Sequence, residues 1–600
     1  MRYRLVFATA AVAALVAAAP AADDAPGLPA GNYILSYSGS PAAQQRLALL
    51  KVEAKDGKPA VSVASTGPRD TGYKATDLTV AGQAVGMKFT LGGRTLTFEG
   101  VLDPKNPKAV RGSLGDADLV LRAFLDATDK DKLEQADMVV PVKVPDEIAE
   151  VRKLMSARGV AMQKAAREKD PAAKAKLAEE AKEAAAAADE KAPAIYKTVL
   201  AAHPGTPAAV ASAEALITLA GKLKASEADV AGWAAVIETD AASHGPRFAQ
   251  STVGRLAASL AGIDGYAPLT LKYAERAAAQ PGLAVKARVS ALKLLAAAQA
   301  KAGQTDAAAG TEREVAKLDG ELDAEYLKTV PPFKPETYAG RKDKAANRVA
   351  VVELFTGAQC PPCVAADVGF DALIKAYPAR DVVLLQYHLH IPGPDPLTNA
   401  DSEARFGYYG KRFEDDFGGT PTTAFNGKPG PRAGGVSMAN AEPAFIAFKK
   451  VIDDALEQST DVKLTGAIKK TGDALAVSVD VAGIKEPKDS VKLRLVLVEE
   501  NIKYVGGNGL RFHHHVVRGL LGTTEGVPVK DMKDGKYTAS ASLKEVRDGL
   551  TAYLTKSHAD RPFPNPDRPL ALKDLKVVAL IQDDATGEVL QAATLDMSGE

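Results

Sequence analysis

The chain has 600 residues, 46% of them hydrophobic, and its 75 basic and 75 acidic side chains cancel to a formal net charge of zero. This balance excludes a disordered chain and a basic surface built for nucleic acid, and the length fits about four domains. Only two cysteines are present, so no framework of several disulfides is available.

Met1-Arg2-Tyr3-Arg4 is a basic tip, followed by an apolar run from Leu5 to Ala19 and the small-residue pattern Ala19-Pro20-Ala21. This predicts a secretory signal peptide over 1–21, cut after Ala21. No cysteine follows to carry a lipid, and no later segment reads as a membrane span. The expected product is exported, periplasmic or secreted, soluble, and held where disulfides persist.

Residues 28–125 alternate in short, turn-punctuated runs. Tyr33–Tyr37, Arg46–Val52, Met87–Leu91 and Leu96–Leu102 read as strands, with turns at Gly92-Gly93 and Asp103-Pro104. A small antiparallel β-domain follows, either a sandwich or an open barrel, with scaffolding as its default role. From 145 to 330 the chain is Ala-rich and helical. Ala172–Ala188 carries little apolar bulk and reads as a solvated helix or connector. Ala194–Gly205 and Ala291–Ala298 are helix-length segments that look like tetratricopeptide-type hairpins, without a clear 34-residue consensus. An irregular bundle is the equal alternative, and either offers a surface to a protein partner. His203, His244 and Trp233 are isolated, and packing accounts for them. Thr329–Pro335 is a proline-stiffened linker.

The next stretch carries the chemistry. An apolar, β-branched run, Val351-Val352-Glu353-Leu354-Phe355, passes through Thr356-Gly357-Ala358-Gln359 into Cys360-Pro361-Pro362-Cys363. A C-x-x-C where a strand hands over to a helix is a dithiol–disulfide redox site. The helix start offers unpaired N–H groups and the positive dipole end, which favour a thiolate on Cys360. Cys363, one turn on, is placed to resolve a mixed disulfide. A reduced core pair and half of a zinc site are the alternatives. The second pair of ligands that a structural zinc requires is not nearby.

Val364–Tyr377 has helical spacing, Val382–His390 reads as a buried strand, and Asp401–Phe417 as a helical insertion at a lid or substrate-facing position. His388 and His390 share a strand face and could titrate near the dithiol, or hold a metal if Asp395 joined them. Gly418-Gly419-Thr420-Pro421 fits an X-Pro turn, where cis bonds occur. A closing helix places Phe445, Phe448, Ile452 and Leu456 on one stripe.

With the C-x-x-C, the strand–helix pattern and this proline together, residues 345–458 resemble the thioredoxin superfamily. That resemblance implies a cis Thr420-Pro421 bond beside the dithiol, offering backbone to a bound peptide. It also implies that Glu353 is a buried acid beneath Cys363 that relays its proton. The match needs one extra loop residue, and Gln359 stands where the family keeps a Trp. No cofactor is implied.

Residues 460–600 return to alternation, with Val462–Gly466, Leu475–Val481, Val491–Val498, Val577–Ile581 and Glu588–Ala592 as strands of a C-terminal β-sandwich. Neighbours in the His513-His514-His515 run alternate sides, so only His513 and His515 could share a metal. The stretch His515-Val516-Val517-Arg518-Gly519 resembles a segment of exported bacterial proteins of the outer-membrane-protein-28-like group, where it is structural. The fold class expected is thus multidomain α+β: an antiparallel β-domain, a helical region, a thioredoxin-like α/β domain and a β-sandwich. This layout is similar to that of exported TlpA-like proteins.

The function expected is thiol–disulfide exchange with protein substrates, fed by a membrane thiol donor. Pro361 and Pro362 have no N–H to offer the Cys360 sulfur. That absence favours a thiolate pKa near thioredoxin's ~7 over the ~3.5 of a strong oxidant, and so a reductant. The rival is a binding or assembly protein whose disulfide locks a loop. Peroxiredoxin chemistry is disfavoured, because the Pro-x-x-x-Thr-x-x-Cys pattern is absent before Cys360.

Overall fold

The computed structural model describes residues 28–598, apart from short stretches at 41–42, 68–71, 92–93, 104–105, 117–118, 143, 169 and 596. The expected signal peptide at 1–21 lies outside the described residues. The chain divides into two compact units with the boundary between Leu322 and Asp323.

The first unit begins with a nine-stranded antiparallel sheet: β1 (Gly31–Ser40), β2 (Ala43–Lys55), β3 (Lys58–Thr66), β4 (Lys74–Ala81), β5 (Ala84–Leu91), β6 (Arg94–Asp103), β7 (Asn106–Gly115), β8 (Val120–Ala127) and β9 (Val139–Pro141). Its order is β3-β2-β1-β8-β7-β6-β5-β4, with β9 beside β2. Inward positions alternate along each strand, so Met87 opposes Phe98 and Phe89 opposes Leu96. All eight main strands feed one interior that includes Tyr33, Leu50, Phe89, Phe98 and Leu125. One continuous sheet around a single interior fits an open barrel rather than two packed sheets.

Eight helices follow: α1 (Asp146–Arg167), α2 (Pro171–Ala202), α3 (Pro207–Leu223), α4 (Glu227–Ser243), α5 (Pro246–Ala261), α6 (Ala267–Ala278), α7 (Val285–Lys301) and α8 (Thr305–Thr329). Thr206 and Ser226 cap α3 and α4 by accepting from Ala209 and Asp229 N–H groups. The Ala-rich segment at 172–188 is no separate connector. It runs straight through Pro193 into the next segment as one helix, α2, which packs along α1. Helix lengths range from 12 residues in α6 to 32 in α2, and α3, α5 and α7 begin at Pro207, Pro246 and Val285, a spacing longer than 34 residues. Trp233 and Tyr273 sit in the helical core, and His244 is buried between Phe124 and Phe248.

The second unit contains β10 (Ala350–Thr356), α9 (Val364–Ala376), β11 (Val382–His388), α10 (Ala400–Arg412), β12 (Thr422–Phe425), β13 (Lys428–Pro429), α11 (Ala441–Leu456), β14 (Lys463–Thr471) and β15 (Ala474–Ala482). It continues with β16 (Val491–Lys503), β17 (Phe512–Leu521), β18 (Val527–Pro528), β19 (Lys536–Ser542), α12 (Leu543–Asp560), β20 (Leu575–Asp583), β21 (Glu588–Leu595) and β22 (Met597–Ser598). One mixed sheet runs β13-β12-β10-β11-β17-β16-β20-β21, with β18 beside β16. β10 and β11 are parallel, as are β11 and β17, whose register sets Gln386 against Val516.

Where the sequence suggests two domains split near 458–460, the strands of both therefore lie in one sheet. A smaller sheet, β19-β15-β14-β22, faces its far end across a core that includes Ile468, Val477, Leu495, Leu497 and Ile581. The sandwich exists, but one of its two sheets continues the sheet that carries β10. Hydrophobic pattern marks strands and is silent on which strand a distant edge will pair with.

Alternation along β10 divides the two faces. Val352 and Leu354 pack with Phe370 and Leu373 of α9 and with Phe445 and Phe448 of α11. Val351 and Phe355 face the other way, towards Tyr409 of α10 and Phe417. The insertion at 401–417 is thus partly helical, but it covers the second face of the sheet and buries Tyr409 completely. It is core rather than a lid.

Candidate functional site: the Cys360–Cys363 junction

β10 ends at Thr356, and the turn Gly357-Ala358-Gln359 leads to a single 3₁₀ turn, Pro361–Cys363, that runs directly into α9. Prolines suit the first positions of such a turn, whose N–H groups would have no partner anyway. Cys360 N–H donates to the Gly357 carbonyl at 3.0 Å and Cys363 N–H to the Cys360 carbonyl at 3.1 Å. The two cysteines form a disulfide with their Cα atoms 5.3 Å apart.

The Thr420–Pro421 peptide bond is cis. The Thr420 hydroxyl donates to Cys360 Sγ at 3.5 Å, and the Thr420 carbonyl oxygen lies 3.9 Å from the same sulfur. Neither Pro361 nor Pro362 has an N–H, so the threonine hydroxyl takes the place of the backbone donors that a different dipeptide would supply.

Both cysteines are covered, Cys360 being 1% and Cys363 0% exposed. One cover is the segment before α11. Gly435 N–H donates to the Pro362 carbonyl at 2.7 Å, and Ala365 N–H donates back to the Gly435 carbonyl at 3.0 Å. The other is the tip of the β16–β17 hairpin. Asn508 donates its N–H to the Ala358 carbonyl at 3.0 Å and its side-chain amide to the Gly357 carbonyl at 3.4 Å. Gly507 N–H donates to Gln359 Oε1 at 2.9 Å. At Gly506 a Cβ would sit 2.2 Å from the Ala358 carbonyl oxygen, so only glycine permits this approach.

Glu353 is not beneath Cys363. Its side chain is on the α10 face of the sheet, opposite α9, with 0% exposure. Arg405 of α10 grips it bidentately, Nε to Oε1 at 2.8 Å and Nη2 to Oε2 at 3.0 Å, and the Tyr409 hydroxyl donates a short hydrogen bond to Oε2. Strand alternation put Glu353 on the wrong face for the role the resemblance implied. A buried acid does lie on the dithiol side: Asp367, one helical turn after Cys363. Gln386 Nε2 donates to its Oδ1 at 3.1 Å, while Oδ2 has no hydrogen-bond partner. Burial pushes this carboxyl well above the usual carboxylate range.

A buried polar chain continues from there. His388 Nε2 faces Gln386 Oε1 at 3.1 Å, and His388 Nδ1 faces Asp395 Oδ2 at 2.8 Å. Asp395 also accepts the Ala358 N–H at 2.6 Å, which ties the chain to the turn before Cys360. Burial alone would raise the Asp395 pKa, but His388 and the N–H groups of Leu397 and Ala358 hold it below the usual range. The sequence signal missed was an acid four residues after Cys363 within an otherwise apolar helix start.

The expected histidine sites separate. His390 accepts the Asp395 N–H and stacks on Tyr553, away from His388. His513 lies against the His388 ring at 4.9 Å, and burial pushes its pKa down to about 3. His514 approaches Asp371 at 3.0 Å. His515 takes a left-handed φ of 54° and lines a cleft with Leu384, Glu500 and Lys576. No cluster of three His, Cys, Asp or Glu side chains suited to a metal occurs among the described residues.

No family model matches the chain, and no curated protein matches it. A crystal structure of a protein from Agrobacterium tumefaciens is similar over 42% of this chain and 95% of its own, at 19% identity and a TM-score of 0.26, a likeness too slight to carry a fold or functional argument.

Proposed function

We propose that this chain is an exported, thioredoxin-like thiol–disulfide oxidoreductase that works as a reductant on protein substrates. The observation that carries the reading is the Cys360–Cys363 pair at a strand-to-helix junction, with the Thr420 hydroxyl and carbonyl against the Cys360 sulfur. A dithiol donor, such as a membrane thiol carrier, reduces the pair with two electrons. The Cys360 thiolate then attacks a substrate disulfide, forming a mixed disulfide and expelling one substrate thiolate. Cys363 attacks Cys360 Sγ, expels the second substrate thiolate and restores the Cys360–Cys363 disulfide. Asp367, whose burial favours the neutral acid, is the group that exchanges the Cys363 proton. Thr420 and Pro421 offer backbone to the substrate, and the helices of the first unit offer a surface to a partner. Among the described residues no helix is long and apolar enough to cross a membrane.

A second reading is supported by the near-complete burial of both cysteines: a binding or assembly protein in which the disulfide locks a loop. Equilibration in dithiothreitol and glutathione buffers, with Cys363→Ser as a trap, separates the two. A potential near −270 mV and mixed disulfides on Cys360 support the reductant. A potential below about −300 mV with no trapped partner supports the lock.

A further inference from the structure

On the α10 face of the second unit, between α10, Arg494 of β16 and the end of β17 with Thr524 and Glu525 beyond it, lies a cavity of about 680 Å³. That volume falls within the range of small-molecule sites, on the order of 300–1,000 Å³. Its lining carries the basic side chains of Arg405, Lys411, Arg412 and Arg494 against one acidic residue, Glu525. The guanidinium groups of Arg405, Arg412 and Arg494 surround one ring, Tyr408, with centroid distances of 5.2, 5.4 and 5.4 Å. Two of these charges are matched behind the wall, Arg405 by Glu353 and Arg494 by Asp584. Arg412 donates only to the backbone carbonyls of Asp584 and Ala585. Lys411 also lines the cavity and has no carboxylate within ion-pair distance among the described residues.

Arg494 is the informative side chain. It is 4% exposed, and every bond it makes, to both Asp584 oxygens and to the Glu525 carbonyl, uses Nη2. Its Nη1 is buried without a partner. A guanidinium that lines a cavity and leaves one buried nitrogen without a partner is an unmet demand for an acceptor, and planar forks of this kind match carboxylate and phosphate oxygens.

We propose that this cavity binds a small organic oxyanion, carrying a phosphate or carboxylate group, through Arg494 Nη1, Arg412 and Lys411, with the Tyr408 ring against the body of the ligand. The site is on the opposite face of the sheet from α9 and is independent of the dithiol chemistry.

The test is calorimetric titration of the full chain with pyrophosphate and with citrate at constant ionic strength. Lys411→Glu and Arg494→Lys are the site variants. Lys450→Glu, on α11 across the sheet, is the control, and circular dichroism confirms folding. Saturable binding of either probe, about tenfold weaker in each site variant and unchanged in the control, supports the proposal, that being the loss expected from one charge-assisted contact. The probe that binds identifies the head group. Lys411 is exposed in the last turn of α10, so Lys411→Glu decides the matter if Arg494→Lys does not fold. Binding that ignores both site variants, or no saturable binding of either probe, overturns it.

Discussion

Replacing Arg405 by methionine tests whether Glu353 is a structural charge. In the native chain the guanidinium supplies both bidentate bonds to Glu353, a bond to Gln582 Oε1 at 2.8 Å and another to the Tyr409 hydroxyl at 2.9 Å. Glu353 has no access to water. Arg405→Met therefore leaves a carboxylate in an apolar layer with the Tyr409 hydroxyl as its remaining donor. Breaking a buried pair in this way costs about 3–5 kcal/mol. Urea unfolding at pH 7, followed by near-ultraviolet dichroism of the second unit, should show that loss. Trp233, the chain's one tryptophan, reports the first unit separately. The double variant Glu353→Gln/Arg405→Met should cost less than Arg405→Met alone. A loss under about 1 kcal/mol, or a double variant as damaging as the single, refutes the argument. If Glu353→Gln instead slowed release of the mixed disulfide at native stability, Glu353 would regain the relay role.

Three further outcomes are expected. Asp367 has a folded pKa raised by burial, so its contribution is full below the unfolded value of 3.8 and is lost as pH rises through the folded one. Asp367→Asn should flatten that decline in the urea midpoint of the second unit while slowing thiol exchange. In the first unit, burial pushes His244 from 6.5 to about 4. Its stabilisation is therefore complete above 6.5 and lost as pH falls towards 4, about 3 kcal/mol by linkage, visible as an acid shift of the Trp233 fluorescence transition that His244→Phe should reduce. Gly506→Ala places a Cβ against the Ala358 carbonyl oxygen at 2.2 Å. Overpacking of about 1–3 kcal/mol should loosen the hairpin tip and speed dithiothreitol reduction of the disulfide roughly tenfold, and an unchanged rate would show that this tip does not shield it.

The strand, turn and helix around Cys360 were legible because each rests on local chemistry: a β-branched run, small loop residues, two prolines and helical spacing. The Thr420-Pro421 turn was legible for the same reason. Glu353 was misplaced because a resemblance transfers a residue type without its strand face, and one extra loop residue suffices to reverse that face. Arg405 and Tyr409, which hold Glu353, were hidden in a segment read as an insertion. Asp367, Gln386, His388 and Asp395 join only through tertiary packing. Likewise, no pattern within residues 460–600 announces that β17 will pair with β11, because β11 reads as a buried strand whatever its neighbour.

That β11–β17 seam also sets an order of events in time. Gln359 and its cover at Gly507 are 148 positions apart in the chain. As the polypeptide emerges from its N-terminal end, both cysteines are delivered long before the strands and hairpin tip that enclose them. During that interval the pair is open to any oxidant or thiol in its surroundings. Enclosure of the pair therefore waits on the chain's own C-terminal strands.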